Sequence, residues 1–108
     1  MGLERELVMM ERAARQAAEA ALRRRAGGIT ADTKADGSPV TQADRESERI
    51  ITSILRDAFP QDGILGEEWG ETPSRSGRRW IVDPIDGTRD YVRGNGCWSV
   101  LIGLEADG

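Results

Sequence analysis

The sequence predicts a layered α/β fold, in which two helices pack on one face of a largely antiparallel sheet. Three observations point there. Apolar residues recur at three- and four-residue intervals over two long stretches, about 3 to 25 and about 42 to 58, which is the period of an amphipathic helix. Three short apolar runs, at Ile64-Leu65, Trp80-Ile81-Val82 and Cys97 to Leu104, are bounded by turn residues as strands are. The length of 108 residues, with 38% hydrophobic and 31% charged content, suits one small domain or part of a larger one, without the bias of a disordered chain.

The first helix carries Leu3, Leu7, Met10, Ala14, Ala17 and Ala21 on its apolar stripe, with Glu4, Arg5, Arg12 and Glu19 between them. So many alanines predict a close approach to another element, and the stripe is read as core. Gly27-Gly28 ends the helix, and Arg23-Arg24-Arg25 falls in its last turns, where cations complement the helix dipole. The stretch from Ile29 to Val40 contains Lys34, Gly37, Ser38 and Pro39, which suits an exposed loop or a short irregular hairpin. Thr41 and Asp44 then form a capping-box pattern for the second helix. Its apolar side holds Ile50, Ile51, Ile54, Leu55 and Ala58, and Pro60 stops it.

Asp62-Gly63 is a predicted turn, and Ile64-Leu65-Gly66 a short strand that ends in Glu67-Glu68. Residues 70–78 are a polar loop. The strand Trp80-Ile81-Val82 is expected to end at Asp83, because Pro84 cannot donate to a sheet ladder. Asp86 follows, Gly87 allows a bend or a close backbone approach, and Thr88 is placed to cap a new helix. If the two acid-tipped strands lie side by side and point the same way, Glu67 joins Asp83 and Asp86. The strand from Cys97 to Leu104 is apolar on both faces near its middle, which predicts an interior position.

Carboxylates gathered at one point repel each other, so a proton, a basic residue or a cation must lie between them. Amide hydrogens at a helix start favour an anion at the same place. A hard cation among acids, with an oxyanion at a helix N-terminus, makes a phosphate site built from oxygen ligands. The spacing alone fits equally a tight turn in which aspartate accepts from the local backbone.

Composition narrows the chemistry. The formal net charge of −4 argues against a nucleic-acid backbone as partner. No apolar run has the length of a membrane span, and the N-terminus has no signal-peptide core, which makes the cytoplasm the expected location. Cys97 is the single cysteine, so no intrachain disulfide forms. The absence of histidine excludes Ser-His and Cys-His nucleophile chemistry within the chain and disfavours zinc, leaving Mg2+ or Mn2+ as the natural metal.

Lys34, Thr41-x-x-Asp44, Gly66-Glu67-Glu68 and Asp83-Pro84-Ile85-Asp86-Gly87-Thr88, in this order, resemble the motifs of the inositol monophosphatase superfamily of metal-dependent phosphatases. The resemblance implies the N-terminal half of that family's αβαβα fold. Residues 1–108 would then be its metal- and phosphate-binding portion, with the C-terminal half, which brings another metal-binding aspartate and much of the substrate pocket, absent from the sequence. It implies that Glu67, Asp83 and the Ile85 carbonyl bind a first metal, that Asp83 bridges to a second held also by Asp86, and that Glu67 helps to hold a third. Asp44 and Thr88 would activate the attacking water. Asp86, the amides of Gly87 and Thr88, and Lys34 on the loop over the site would meet the substrate phosphate.

The implied reaction is in-line attack of a metal-activated water on a small phosphomonoester, with Mg2+ as cofactor and Mn2+ as substitute. The continuation Gly87-Thr88-Arg89-Asp90-Tyr91-Val92-Arg93-Gly94 is more similar to the histidinol-phosphatase branch than to inositol monophosphatases, which tend to have Asn at the place of Asp90. Histidinol phosphate, inositol monophosphate and nucleotide or sugar phosphates are the candidate substrates, and family membership implies a homodimer. The other reading is a truncated, catalytically incomplete fragment that binds metal weakly, or self-associates through the exposed edge of its Cys97 to Leu104 strand.

Overall fold

The structure is a computed structural model that describes residues 2–26, 31–33, 39–86 and 99–106. Helix α1 (Glu4–Ala26) and helix α2 (Gln42–Ala58) lie where the apolar periods place them. Thr41 stands immediately before α2, at the N-cap position, and α2 ends two residues before Pro60. Between the helices, β1 (Ala31–Thr33) and β2 (Pro39–Thr41) pair antiparallel with Asp32 opposite Val40. This is the short hairpin that the sequence allowed.

The helices pack through small side chains. Ala13, Ala17, Ala20 and Ala21 of α1 are buried, and the Ser47 hydroxyl of α2 donates to the Ala17 carbonyl at 3.3 Å. The expected stripe is wrong in its first turns, where Leu3 and Leu7 are exposed. The buried face passes instead through Met10, Ala13, Ala17 and Ala20, and its extension into the first turns brings Glu6 to Arg78 at 2.8 Å. Arg5 also reaches across from these turns, donating to the Ala58 carbonyl at 2.9 Å. A polar end therefore replaces an apolar one.

Four further strands form a mixed sheet in the order β4-β3-β5-β6. They are β3 (Gly63–Gly66), β4 (Gly70–Thr72), β5 (Arg78–Asp86) and β6 (Ser99–Ala106). β3–β4 and β5–β6 are antiparallel and β3–β5 is parallel, so the sheet is largely antiparallel as predicted.

Three strand expectations need correction. β4 lies inside the segment expected as loop: the chain reverses at residues 67–69, and Gly70, at φ +83°, opens a three-residue strand back along β3. β5 does not stop at Asp83. It runs through the buried Pro84, because a bulge intervenes between the pairs Asp83–Leu101 and Asp86–Ser99, and a bulged residue does not need the ladder N–H that proline lacks. β6 was expected inside the sheet, yet among the described residues it pairs with β5 alone. Its Val100, Ile102 and Leu104 pack on the core under the helices, whereas Leu101, on the other face, is exposed.

The core is Ala13, Ala17, Ile51, Leu55, Phe59, Ile64, Trp80 and Val82. Strand alternation explains the β5 members, with Trp80 and Val82 turned toward the helices and Ile81 exposed on the opposite face. Trp80 stacks on Phe59 with centroids 5.4 Å apart, a geometry that adds about 1 kcal/mol to the burial of both rings. Its indole Nε1 donates to Asp62 at 2.9 Å. Asp62 also accepts from Ser76 Oγ at 2.6 Å and Arg78 Nη2 at 2.7 Å. The predicted Asp62-Gly63 turn is thus displaced: the turn falls at Pro60-Gln61, Gly63 already belongs to β3, and Asp62 is a buried acceptor.

Candidate active site

The parallel pairing of β3 and β5 builds the site. Its register runs from Gly63–Arg79 to Gly66–Val82, so Glu67, just after β3, and Asp83, within β5, leave the parallel-paired segment at the same level. Glu67 therefore follows the end of β3, and Asp83 stands beside it within β5 where the parallel pairing stops, on the side where α/β sheets place their ligands. Asp83 is partly buried and Glu67 exposed. The bulge follows at once, with Pro84 and Ile85 buried beneath the site and Asp86 closing the strand opposite Ser99.

Asp44 comes to this edge from α2. It occupies the first turn of the helix, as the capping pattern requires, and is 2% exposed. The first turns of α2 are bound to the turn after β3 at three points. Trp69 Nε1 donates to the Arg45 carbonyl at 3.0 Å, and the amides of Glu68 and Trp69 donate to the two carboxylate oxygens of Glu48 at 2.8 and 2.7 Å. The fit there is tight enough that a Cβ on Gly66 would overlap the Glu48 carboxylate. Gly66 is thus required by close approach, not by its own φ.

Glu48, which the sequence reading missed, is the residue that joins α2 to the turn after β3. It is 1% exposed. Burial pushes its carboxyl above the usual carboxylate range, against the amides of Glu68 and Trp69, which favour the charged form, while the nearby Glu68 carboxylate adds to the upward shift. A signal was present, because Asp44, Glu48, Ile51 and Leu55 fall at spacings of four, three and four on one helical face. Two acids sit on the apolar stripe.

The groups that the sequence reading assigns to a metal are oxygens: the carboxylates of Glu67 and Asp83, at one level of the β3–β5 pairing, and the carbonyl of Ile85 two residues further along β5. This chemistry fits a hard divalent cation and not a soft one. Among the described residues no group of three or more Asp, Glu, His or Cys side chains stands close enough to hold a metal by itself. The Asp86 side chain, Gly87, Thr88 and Lys34 lie outside the described residues, as do the expected Thr88 helix cap and the phosphate cradle.

Known proteins resemble the chain both in sequence and in fold. A histidinol-phosphatase of Chlorobaculum parvum is 50% identical over 76 residues, covering 70% of this chain and 29% of that protein. An inositol-1-monophosphatase of Rhizobium meliloti is 46% identical over 70 residues, covering 64% of this chain and 26% of that protein. Among solved structures, the extragenic suppressor protein SuhB from Bartonella henselae superposes with a TM-score of 0.88 at 35% identity, over 94% of this chain and 41% of that one. The chain spans less than a third of the length of the curated relatives it matches. Since the model of the inositol monophosphatase family matches from residue 3 through residue 108, the chain belongs to that family.

Proposed function

We propose that this chain is the N-terminal, metal- and phosphate-binding portion of a Mg2+-dependent phosphomonoesterase that acts on a small phosphorylated alcohol, histidinol phosphate ahead of inositol monophosphate. The observation that carries this is the β3–β5 register, which sets Glu67 and Asp83 at one level just beyond the parallel pairing. The histidinol-phosphatase name of a relative 50% identical to the chain supports the substrate order. Glu67, Asp83, Asp86 and the Ile85 carbonyl would hold the metal. Bound there, Mg2+ would acidify water and offset charge on the phosphoryl group. Asp44 and Thr88 would orient the attacking water and take its proton, and burial of Asp44 restricts that carboxylate to one direction of approach. The amides of Gly87 and Thr88, with Lys34, would bind the phosphate oxygens. A cytoplasmic homodimer completes the proposal, with the second half of the protein supplying a further metal-binding aspartate and the pocket for the alcohol.

A second reading is favoured by one feature. β6 pairs on one side alone among the described residues, and Leu101 and Ile81 are exposed on its face of the sheet. Such a surface suits a fragment that associates without turnover. Phosphate release from histidinol phosphate and from inositol monophosphate, with and without Mg2+, decides between them. Metal-dependent release supports the phosphatase, and the ratio of the two rates selects the substrate. No release from either ester at saturating Mg2+ supports the fragment.

A further inference from the structure

We propose that Glu48 is a positioning residue, a buried strut that fixes the Glu67 turn against the first turns of α2 and so sets Glu67 relative to Asp83 and Asp44 for cation binding. The inference rests on the phosphatase reading of the site, and it assigns a role to a residue outside the motifs that suggested that reading.

Burying a carboxylate without a counter-charge is costly, and an apolar side chain of similar size would hold a helix to a turn more cheaply. Among the described residues no lysine or arginine forms an ion pair with Glu48. Its oxygens are taken up by consecutive amides, those of Glu68 and Trp69. Those two bonds fix the orientation of the peptide units directly after Glu67. A turn that carries a ligand on an exposed side chain gains that orientation from no apolar contact.

The geometry ties two site residues to one object. Glu48 lies one helical turn after Asp44, on the same face of α2. Movement of the 67–69 turn relative to α2 would break both amide bonds and the Trp69–Arg45 bond together. Gly66 belongs to the same device, since any side chain there would displace the carboxylate.

The test uses Mn2+ as probe, bound to the full chain and followed by electron paramagnetic resonance, beside steady-state kinetics on histidinol phosphate. Glu48→Gln retains the size but sets an NH2 group against one of the two amide donors. It is expected to weaken Mn2+ binding about 10- to 100-fold, the usual effect of losing a group that orients a ligand. It should lower kcat with little change in KM for the ester. Gly66→Ala should reproduce both effects, and the double variant should be no worse than the weaker-binding single, because both break one contact. Ser47→Ala loses a neighbouring buried hydrogen bond and serves as the control, with lower stability and unaltered Mn2+ affinity. Folded Glu48→Gln and Gly66→Ala with wild-type Mn2+ affinity and kcat would overturn the assignment; should Glu48→Gln not fold, Gly66→Ala decides alone. Absence of Mn2+ binding by the wild-type chain would instead overturn the phosphatase reading itself.

Discussion

β3 has a buried acid at each end, and the two are treated in opposite ways. Asp62, just before the strand, is met by the Arg78 guanidinium, the Ser76 hydroxyl and the Trp80 indole. Burial works against its charge, yet those donors together hold its carboxyl below the usual range. Glu48, beneath the turn that follows the strand, has amides for partners, and its carboxyl is pushed up. One end of the sheet is electrically closed. The other is more open: among the described residues Glu48 forms no ion pair, and the Glu68 carboxylate adds to its upward shift. Under the proposed function the second end is the one at which a bound cation would add its charge.

The largest effect that would break this contrast is expected at Asp83. Asp83→Asn should lower Mg2+-dependent phosphate release by at least about 100-fold, since a metal contributes several kcal/mol to such a reaction. In the wild type Mg2+ should raise the melting temperature, and in Asp83→Asn the rise should shrink or vanish, which calorimetry with and without the metal would show. An unchanged rate would mean that the open end does not hold the metal.

At the closed end the expected loss is of stability, not of metal response. Asp62→Ala strips a mostly buried guanidinium and a fully buried indole of their acceptor, and should cost roughly 3 kcal/mol in urea unfolding. The Mg2+-induced rise in melting temperature should survive in that variant. If Asp62→Ala instead abolished it, the two ends would not be independent.

Acid should discriminate the ends more finely. The folded-state pKa of Asp62 is lowered, so its contribution to stability is present above the unfolded value, about 3.9, and is lost as pH falls through the folded one. Glu6, which shares Arg78, is lowered as well and adds in the same direction. Asp62→Asn should therefore flatten the fall in stability below about pH 4, read from urea midpoints at successive pH values. The smallest effect is expected at the exposed Arg24–Glu46 pair, 2.8 Å apart, where Arg24→Ala should cost less than about 1 kcal/mol and leave catalysis alone.

Much of this was legible in the residues, and the failures have particular causes. The helices followed from apolar spacing, and the strand that ends before Glu67-Glu68 from its short apolar run, whereas Asp83-Pro84 marks a bulge within β5 and not its end. The parallel alignment of the two strands was posed as a condition, and the register meets it. The phase of α1 was misjudged because alanines at 13, 14, 17, 18, 20 and 21 allow adjacent faces to look alike, and only the partner surface chooses between them. Pro84 misled because the rule against proline concerns a ladder hydrogen bond, which a bulge makes unnecessary. β4 was too short and polar to signal a strand. The apolar pattern of β6 announced burial without saying by what. Glu48 escaped because a glutamate on a helix is ordinarily solvated, and its place on the Ile51–Leu55 stripe was overlooked.

Trp69 gives the open end an optical consequence. Its ring is more than half exposed and lies under the Arg49 guanidinium at 5.0 Å, while its Nε1 and its own amide bond to Arg45 and Glu48 of α2. Trp80, wholly enclosed, emits from the other environment. Of the chain's three tryptophans, Trp69 and Trp80 lie among the described residues, so a water-facing fluorophore marks the turn and a shielded one the core. In a Trp98→Phe background, collisional quenching by acrylamide should reach the first and spare the second, so a change at the turn on ligand binding becomes visible without any label.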